Sequence, residues 1–145
     1  MNLIEQLITA LPTLCIAILG IYITYILSKT SNKIAHDNLT KQLFTEFNAR
    51  YEVLNNILIR IPADKPLQNV LNDVDHSNCL VDYINLCAEE HYWFKQGRID
   101  ARIWNSWHAG MKEWHQKLLS LRQMWEIESE FPESYYLENN EDFFA

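Results

Sequence analysis

The apolar residues of this chain form one long uninterrupted run followed by several stripes with helical spacing. Between Leu7 and Leu27 there are 21 consecutive residues without a charge. At about 1.5 Å per helical residue this run would be roughly 31 Å long, close to the hydrocarbon thickness of a bilayer. The pattern predicts a transmembrane helix. Pro12 is tolerated near its start because first-turn amides lack helical partners.

Two other interpretations of the run fit less well. A signal peptide begins with basic residues and ends at a small-residue cleavage site, whereas Met1 to Gln6 contains Glu5 and no Lys or Arg. A helix that is apolar on every side would have to be buried in a core larger than the remaining residues can form. A membrane span is therefore the expectation.

A polar stalk and then an amphipathic helix are predicted after the span. Residues 28–38 contain one strongly apolar side chain, Ile34, and either continue the membrane helix into water or form a short flexible joint. Apolar side chains spaced three or four apart then define one face of a helix to about residue 60: Phe44, Phe47, Tyr51, Leu54, Leu58 and Ile61. Pro62 and Pro66 break this helix.

Two further helices are predicted in the middle of the chain. A weak pattern covers Leu67 to about Val74, and a stronger one covers about Ser77 to Gln96. Gly97 is a natural C-terminal stop, and Asp100 is a candidate N-cap for the next helix. No strand-like alternation bounded by hairpin turns occurs, so the predicted fold class is all-α.

The last long helix is predicted from about Asp100 to Ile127. In a heptad numbering its two inward positions are apolar throughout, and its outward positions, such as Lys112 and Ser120, are polar. The inward residues are Trp104, Trp107, Met111, Trp114, Leu118, Leu121 and Trp125. Because indoles suit packing across several helices better than a two-stranded seam, these residues predict the seam of an antiparallel bundle of three or four helices.

These elements divide the chain into four predicted parts. They are an N-terminal tail and transmembrane helix (1–27), a polar juxtamembrane stalk (28–42), a cytoplasmic helical bundle (43–130) and an acidic aromatic tail (131–145). Lys29, Lys33 and Lys41 follow the span, and no Lys or Arg precedes it. The positive-inside rule therefore predicts an N-terminus outside and a C-terminal domain in the cytoplasm.

The net charge of −7 comes from the end of the chain. Residues 126–145 carry seven acidic side chains and no Lys or Arg, so the first 125 residues balance at 12 basic and 12 acidic. Nucleic acid is therefore not an expected partner. Spaced aromatic residues in the acidic tail are candidates for docking on a partner protein: Phe131, Tyr135, Tyr136, Phe143 and Phe144. Alternatively, part of the tail covers the bundle.

The span itself contains small and weakly polar residues. Thr13, Ala17, Gly20 and Thr24 are of the types that permit close approach and hydrogen bonding between membrane helices. They are candidates for self-association into a homo-oligomer that perturbs the membrane. Simple anchoring in the lipid bilayer is the alternative.

Candidate chemistry is sparse. Cys87 and His91 lie one helical turn apart and are a weak candidate for a metal site, although a closed zinc site needs two more ligands. Arg102 and His108 form an R-x5-H pattern that resembles the short motif of the all-α HEPN ribonucleases, in which His is a general base and Arg holds phosphate. Glu89 and Glu90 are adjacent, which is typical of a solvated face. No cofactor is expected.

Three blocks resemble a family of small bacterial membrane proteins whose function is uncharacterised. The blocks are FNARY (Phe47 to Tyr51), DYINLCAEEHYWFKQGRID (Asp82 to Asp100) and WNSWHAGM (Trp104 to Met111). The resemblance covers roughly Leu43 to Trp125. It implies one N-terminal transmembrane helix, a cytoplasmic helical domain and a bacterial inner-membrane location, and it assigns no catalytic residue.

The expected function is that of a single-pass inner-membrane protein with a cytoplasmic helical binding or regulatory module and no catalytic activity. The alternative is a membrane-acting effector, a toxin or phage-defence component, that works through oligomerisation of its span. A more distant alternative is a membrane-tethered ribonuclease that uses Arg102 and His108.

Overall fold

The protein is mainly helical in the computed structural model, which describes residues 2–138 and 141–145, with residues 3 and 5–9 described by their backbone alone. The described residues form five α-helices and contain no strand, which confirms the prediction of an all-α chain. The helices are α1 (Leu3–Leu58), α2 (Leu67–Val70), α3 (Val74–Lys95), α4 (Ala101–Lys117) and α5 (Leu119–Glu128), followed by a 3-10 turn at Pro132–Tyr135.

Helix α1 continues without a break through the predicted stalk, so residues 28–38 are helical and not a flexible joint. Among the described residues it is the one helix long and apolar enough to cross a membrane, as judged by length and composition, and none of its most apolar stretch is buried. The described chain divides into two compact units, Met1–Leu39 and Thr40–Ala145.

The second unit contains the last part of α1 and all the later elements, and it has one hydrophobic core. Each of its five α-helices contributes residues that are almost completely buried, including Phe47, Leu58, Val70, Leu80, Ile84, Leu86, Met111 and Leu121. The interlocking of these side chains is what holds the helices together, since burial of apolar area is the main favourable term in folding.

Two aspartates and a glycine set the helix ends of this unit. Asp73 accepts a hydrogen bond from the His76 amide at 3.1 Å, so α3 begins at Val74, three residues before the predicted start. Asp100 caps α4 by accepting a hydrogen bond from the Arg102 amide at 2.9 Å. Gly97 follows α3 with φ of 66°, a left-handed conformation that favours glycine. Gly97 and Asp100 thus have the predicted roles.

The prediction of one continuous helix to Ile127 is wrong. Leu118 is extended, with φ of −97° and ψ of 114°, and it separates α4 from α5. The Leu119 amide donates to the Ala63 carbonyl at 2.9 Å, and the Arg122 guanidinium donates to the carbonyls of His115, at 3.1 Å, and Gln116. These hydrogen bonds provide partners for one backbone amide and two backbone carbonyls at the break, which in a continuous helix would bond to each other's turns.

The break also changes which side chains face the core. Ser120, predicted on the outward face, is fully buried, and its hydroxyl has no hydrogen-bond partner among the described residues. Six of the seven predicted seam residues are buried, and Trp107 is half-buried. Trp107 lines a groove in the surface of this unit.

Candidate functional site

A groove of about 690 Å³ lies between the C-terminal part of α1, the middle of α3 and α4. This volume is in the usual range for small-molecule sites, roughly 300 to 1,000 Å³. All of the lining residues belong to the unit Thr40–Ala145. Its walls are mainly aromatic and aliphatic, with a few polar groups, which is the usual composition of a small-molecule site.

The spacing of residues on the helices explains the walls. Helix α1 contributes Phe44, Asn48 and Tyr51, which are four and three residues apart and so lie on one face. Helix α3 contributes Tyr83, Leu86 and Glu90 with the same periodicity, and α4 contributes Ile103, Ser106, Trp107, Gly110 and Met111. A Cβ atom at Gly110 would meet no other atom within 4 Å, so this glycine leaves open space on the α4 side.

Aromatic rings form one end of the groove. The Phe44 and Trp107 rings are stacked, with centroids 6.0 Å apart and planes 13° apart. Phe47 meets the same indole edge-on at 5.8 Å, from the core side. Tyr51 and Tyr83 have ring centroids 6.5 Å apart and line the groove from α1 and α3. The groove thus has several ring faces that a ligand can contact.

Glu90 is the unusual polar residue of the groove. Only 5% of its surface is exposed, and it has no hydrogen-bond or ion-pair partner among the described residues. Burial is the main cause that raises the pKa of Glu90 to about 8. Arg50 lowers this pKa and Glu89 raises it. The carboxyl group is therefore mainly protonated at neutral pH, because burial penalises its charged form.

The prediction that Glu89 and Glu90 mark a solvated face is wrong for Glu90. Glu89 accepts two hydrogen bonds from the Arg50 guanidinium, at 2.6 and 2.9 Å. One residue further along α3, the side chain points about 100° away, toward Tyr83 and Leu86. The sequence shows that Tyr83, Leu86 and Glu90 share one helical face, but it does not show which elements cover that face.

Four of the other polar residues that line the groove have partners within the protein. The Asn48 amide donates to the Phe44 carbonyl at 2.6 Å. The Tyr51 hydroxyl accepts from Trp114 Nε1 at 3.0 Å and donates to Asn55 Oδ1 at 3.3 Å. At the rim, Arg102 and Asp100 form an exposed pair with an N–O distance of 3.2 Å. Of the two carboxyl groups in the described lining, Glu90 is the one without such a partner, so it is well placed to bind a polar atom of a ligand.

The structure does not bring Arg102 and His108 into one cavity. Arg102 lines the rim of the groove with 93% of its side chain exposed. His108 lies outside the groove lining and stacks on Trp104, with centroids 5.2 Å apart and planes 11° apart. The two side chains are six residues apart on α4, which points them in different directions around the helix.

Cys87 and His91 also lie in different surroundings. Cys87 is fully buried, and burial raises the pKa of its thiol. His91 lies between Trp104 and Phe143, at centroid distances of 5.4 and 6.2 Å, and its Nδ1 has no hydrogen-bond partner among the described residues. No group of three or more His, Cys, Asp or Glu side chains in the described part of the chain is arranged to hold a metal ion.

The acidic tail packs on its own domain at three of the five candidate docking residues. Tyr135, Phe143 and Phe144 are buried, whereas Phe131 and Tyr136 are exposed. Phe144 stacks on His115 with centroids 4.6 Å apart, and Phe143 lies 4.5 Å from Trp125.

Polar contacts hold the same part of the tail. Trp125 Nε1 donates to Asp142 Oδ1 at 3.1 Å, and Lys95 pairs with Glu141. Asn139 and Asn140, which belong to the predicted tail, lie outside the described residues. The described end of the tail is therefore part of the folded domain.

In the N-terminal unit, the four candidate association residues are all exposed. The Thr24 hydroxyl donates to the Gly20 carbonyl at 2.8 Å, within the same helix. The four candidate residues thus form one exposed stripe along the helix: Thr13, Ala17, Gly20 and Thr24. The Thr24 hydroxyl already has its hydrogen-bond acceptor within that helix.

Comparison of the chain with protein families, curated proteins and solved structures finds no match.

Proposed function

We propose that this chain is a single-pass inner-membrane protein whose cytoplasmic helical module binds a small molecule without transforming it. The observation that carries the proposal is the groove between α1, α3 and α4, with Glu90 buried in its wall and unpartnered among the described residues. Leaving a carboxyl group with only residual solvent contact and no protein partner costs free energy, and sites that bear such a cost are commonly functional.

The length, apolarity and exposure of the first part of α1 support the anchor. The hydrogen bond from Thr24 to the Gly20 carbonyl supports anchoring over self-association through this hydroxyl, because the group needs no partner from a second helix. Lys29, Lys33 and Lys41 favour a cytoplasmic position for the later domain.

The distribution of polar groups supports binding over catalysis. A mechanism that pairs a general acid with a general base, or a base with a nucleophile, needs two free groups within hydrogen-bond reach of each other. Among the described lining residues, Asp100 and Arg102 bond to each other, and Tyr51 is bonded on both sides. Glu90 is thus suited to recognition of a ligand by a single polar group.

Filling the groove tests the binding function. The full chain in detergent is screened by ligand-observed NMR against small aromatic fragments of mixed charge. We expect Gly110→Leu to abolish the binding that the native protein shows, because its side chain enters the open space on the α4 side. Gly110→Ala and Ala109→Leu, a substitution at an adjacent exposed position outside the lining, should retain it. Equal binding by Gly110→Leu would refute the proposal.

Two measurements on the full chain test the anchor. We expect the protein to stay in the membrane fraction during alkaline carbonate extraction, and a C-terminal reporter that is active in the cytoplasm to be active. Release into the soluble fraction, or activity of a periplasmic reporter instead, would contradict the proposal. Oligomers in detergent together with loss of membrane potential on expression would instead favour the membrane-acting effector.

A further inference from the structure

We propose that the groove binds an organic cation, a protonated amine attached to an apolar body, with the Glu90 carboxylate as its counter-ion. The inference rests on the proposed binding function and adds the class of ligand. It is carried by two observations that meet in one cavity: the unpartnered buried carboxyl group and the aromatic rings of the wall.

The carboxyl group selects against two classes of ligand. A neutral apolar ligand would remove the remaining solvent contact of Glu90 and leave its oxygens without hydrogen bonds, which is costly. An anion would find no free cation in the described lining, because Arg102 lies at the exposed rim and already pairs with Asp100. A cation avoids both penalties, because it pairs with the buried carboxylate.

The rings add attraction for the same ligand class. The ring faces of Trp, Tyr and Phe attract cations through their quadrupoles, and the effect is strongest where the cation is shielded from water. Phe44, Trp107, Tyr51 and Tyr83 all line the groove. These rings, together with Leu86 and Met111, also provide the surface against which the apolar part of the ligand packs.

Binding of a cation is coupled to loss of the Glu90 proton. Because burial raises the pKa of Glu90 to about 8, the group binds a cation well only in the minority of molecules that are ionised at neutral pH. The charged and titratable groups around it are Arg50 and Tyr51 of α1, Tyr83, Cys87 and Glu89 of α3, Asp100 at the N-cap of α4, and Arg102 of α4. Of these, Glu90 is the one whose raised pKa lies near neutrality.

Three probes of similar size test the proposal: 2-phenylethylamine as the cation, 2-phenylethanol as the neutral analogue and phenylacetate as the anion. Their affinities for the full chain in detergent are measured by calorimetry between about pH 6 and pH 8. An alkylamine titrates near pH ~10 and stays charged in this range. We expect the amine to bind at least about tenfold more tightly than either analogue at pH ~8, which corresponds to one opposite-charge contact.

The pH dependence separates Glu90 from a merely structural group. If the amine binds only the ionised groove, its affinity should rise by about 50-fold from pH ~6 to pH ~8, as the ionised fraction of Glu90 rises from about 1% to about half. Glu90→Gln should remove both the preference for the amine and the pH dependence. Glu89→Gln, the matched control one residue away, should retain the preference.

The outcomes distinguish the two proposals. Equal binding of amine and alcohol that is lost in Gly110→Leu would overturn the cation assignment and leave groove binding supported. Preferential binding of phenylacetate would also overturn the cation assignment. Binding of no probe, together with no fragment binding that depends on Gly110, would overturn both. Retention of amine preference in a folded Glu90→Gln protein would show that Glu90 is not the counter-ion.

Discussion

The Arg50 guanidinium of α1 donates two hydrogen bonds to the Glu89 carboxylate of α3, at 2.6 and 2.9 Å, immediately beside the buried Glu90. This bidentate pair joins two walls of the groove. It also directs the cation of Arg50 toward Glu89, so that Glu90 receives its attraction without a hydrogen bond. Two adjacent glutamates therefore have different roles, one as a structural tie and the other as a group facing the groove.

Replacing Arg50 should lower the unfolding free energy of the domain and raise the pKa of Glu90. Arg50→Met retains the apolar stem and removes both hydrogen bonds, and we expect a loss of about 1 kcal/mol in unfolding free energy, modest because the pair is about one-third exposed. The pKa of Glu90 should rise further, since Arg50 is the charge that lowers it. Urea unfolding followed by tryptophan fluorescence measures the first effect, and NMR titration of the Glu90 carboxyl carbon measures the second.

Arg60→Met is the matched control, because Arg60 is exposed, follows the end of α1 and donates to the Asn56 carbonyl of that helix. We expect this variant to leave the pKa of Glu90 unchanged. Equal effects of the two substitutions on stability and on that pKa would show that the pair with Glu89 does not tie the helices together.

Removing the Glu90 charge should stabilise the domain at neutral and alkaline pH. The pKa of Glu90 is about 8 in the folded protein and ~4.3 in an unfolded chain, so the folded state binds more protons between these values. Stability from this group is complete below pH ~4.3 and is lost as the pH rises to about 8. Glu90→Gln should thus raise the unfolding free energy by about 2 kcal/mol near pH ~8 and reduce its downward slope with pH.

The neighbouring substitution Glu89→Gln provides the comparison for Glu90→Gln. It breaks the pair with Arg50 and should lower stability at every pH above ~4.3 while retaining the slope that belongs to Glu90. Denaturant titrations at several pH values measure both variants. A Glu90→Gln protein that is less stable than the native protein near pH ~8 would contradict the burial cost assigned to the carboxylate.

Local features of the fold were predictable because their causes are local. The all-helical class follows from apolar periodicity, the end of α3 from Gly97, and the start of α4 from Asp100, since each depends on a few neighbouring residues. Most of the seam on α4 and α5 is also buried as the spacing indicates. Each of these features involves only residues within a few turns of one helix.

Features that depend on distant partners were not predictable from the pattern. The break at Leu118 has no Pro or Gly to mark it, and its amides and carbonyls are satisfied by Ala63 and Arg122. The burial of Glu90 depends on α1 and α4 packing over one face of α3. The tail residues Phe143 and Phe144 pack on aromatic side chains of the same chain. The composition of the tail fits docking on a separate protein equally well, so it could not predict this.

Substitution by alanine should lower the stability of the protein at Gly97 and raise it at Gly110. Gly97 has φ of 66°, so Gly97→Ala should cost about 1 kcal/mol, because a Cβ atom is strained in the left-handed region. Gly110 lies within α4 with open space around it, so Gly110→Ala should stabilise by about 0.5 to 1 kcal/mol through helix propensity. Thermal unfolding of both variants measures the difference. Equal shifts would contradict the geometry described at these positions.

Acidification should release the C-terminal tail. Phe144 stacks on His115, and Phe143 lies beside His91. Burial is the main cause that lowers the pKa of both imidazoles, so the docked tail favours their neutral forms. Above pH ~6.5 both histidines are neutral whether the tail is docked or not. As the pH falls below ~6.5 the undocked state takes up protons more readily, and docking weakens.

Neighbouring charges also shift the pKa of the two histidines and so affect how strongly docking of the tail depends on pH. Glu141 raises the pKa of His91, and Lys95 and His108 lower it. For His115, Asp142 and Glu126 raise the pKa and Arg122 lowers it. Ordinary carboxyl groups titrate near pH ~4 and imidazoles near pH ~6.5, so the interval between pH ~6.5 and pH ~5 is the one in which histidine titration is measured.

Hydrogen exchange of the tail amides is the local measurement, because the titration of Glu90 changes global stability in the opposite direction. The Phe144 amide donates to Asp142 Oδ1 at 2.7 Å in the docked tail and reports its release. We expect its protection to fall between pH ~6.5 and pH ~5, after correction for the intrinsic pH dependence of exchange. In His115→Gln, which removes one titrating ring, the fall should be smaller. Protection that is independent of pH in the native protein would show that the histidines do not control docking.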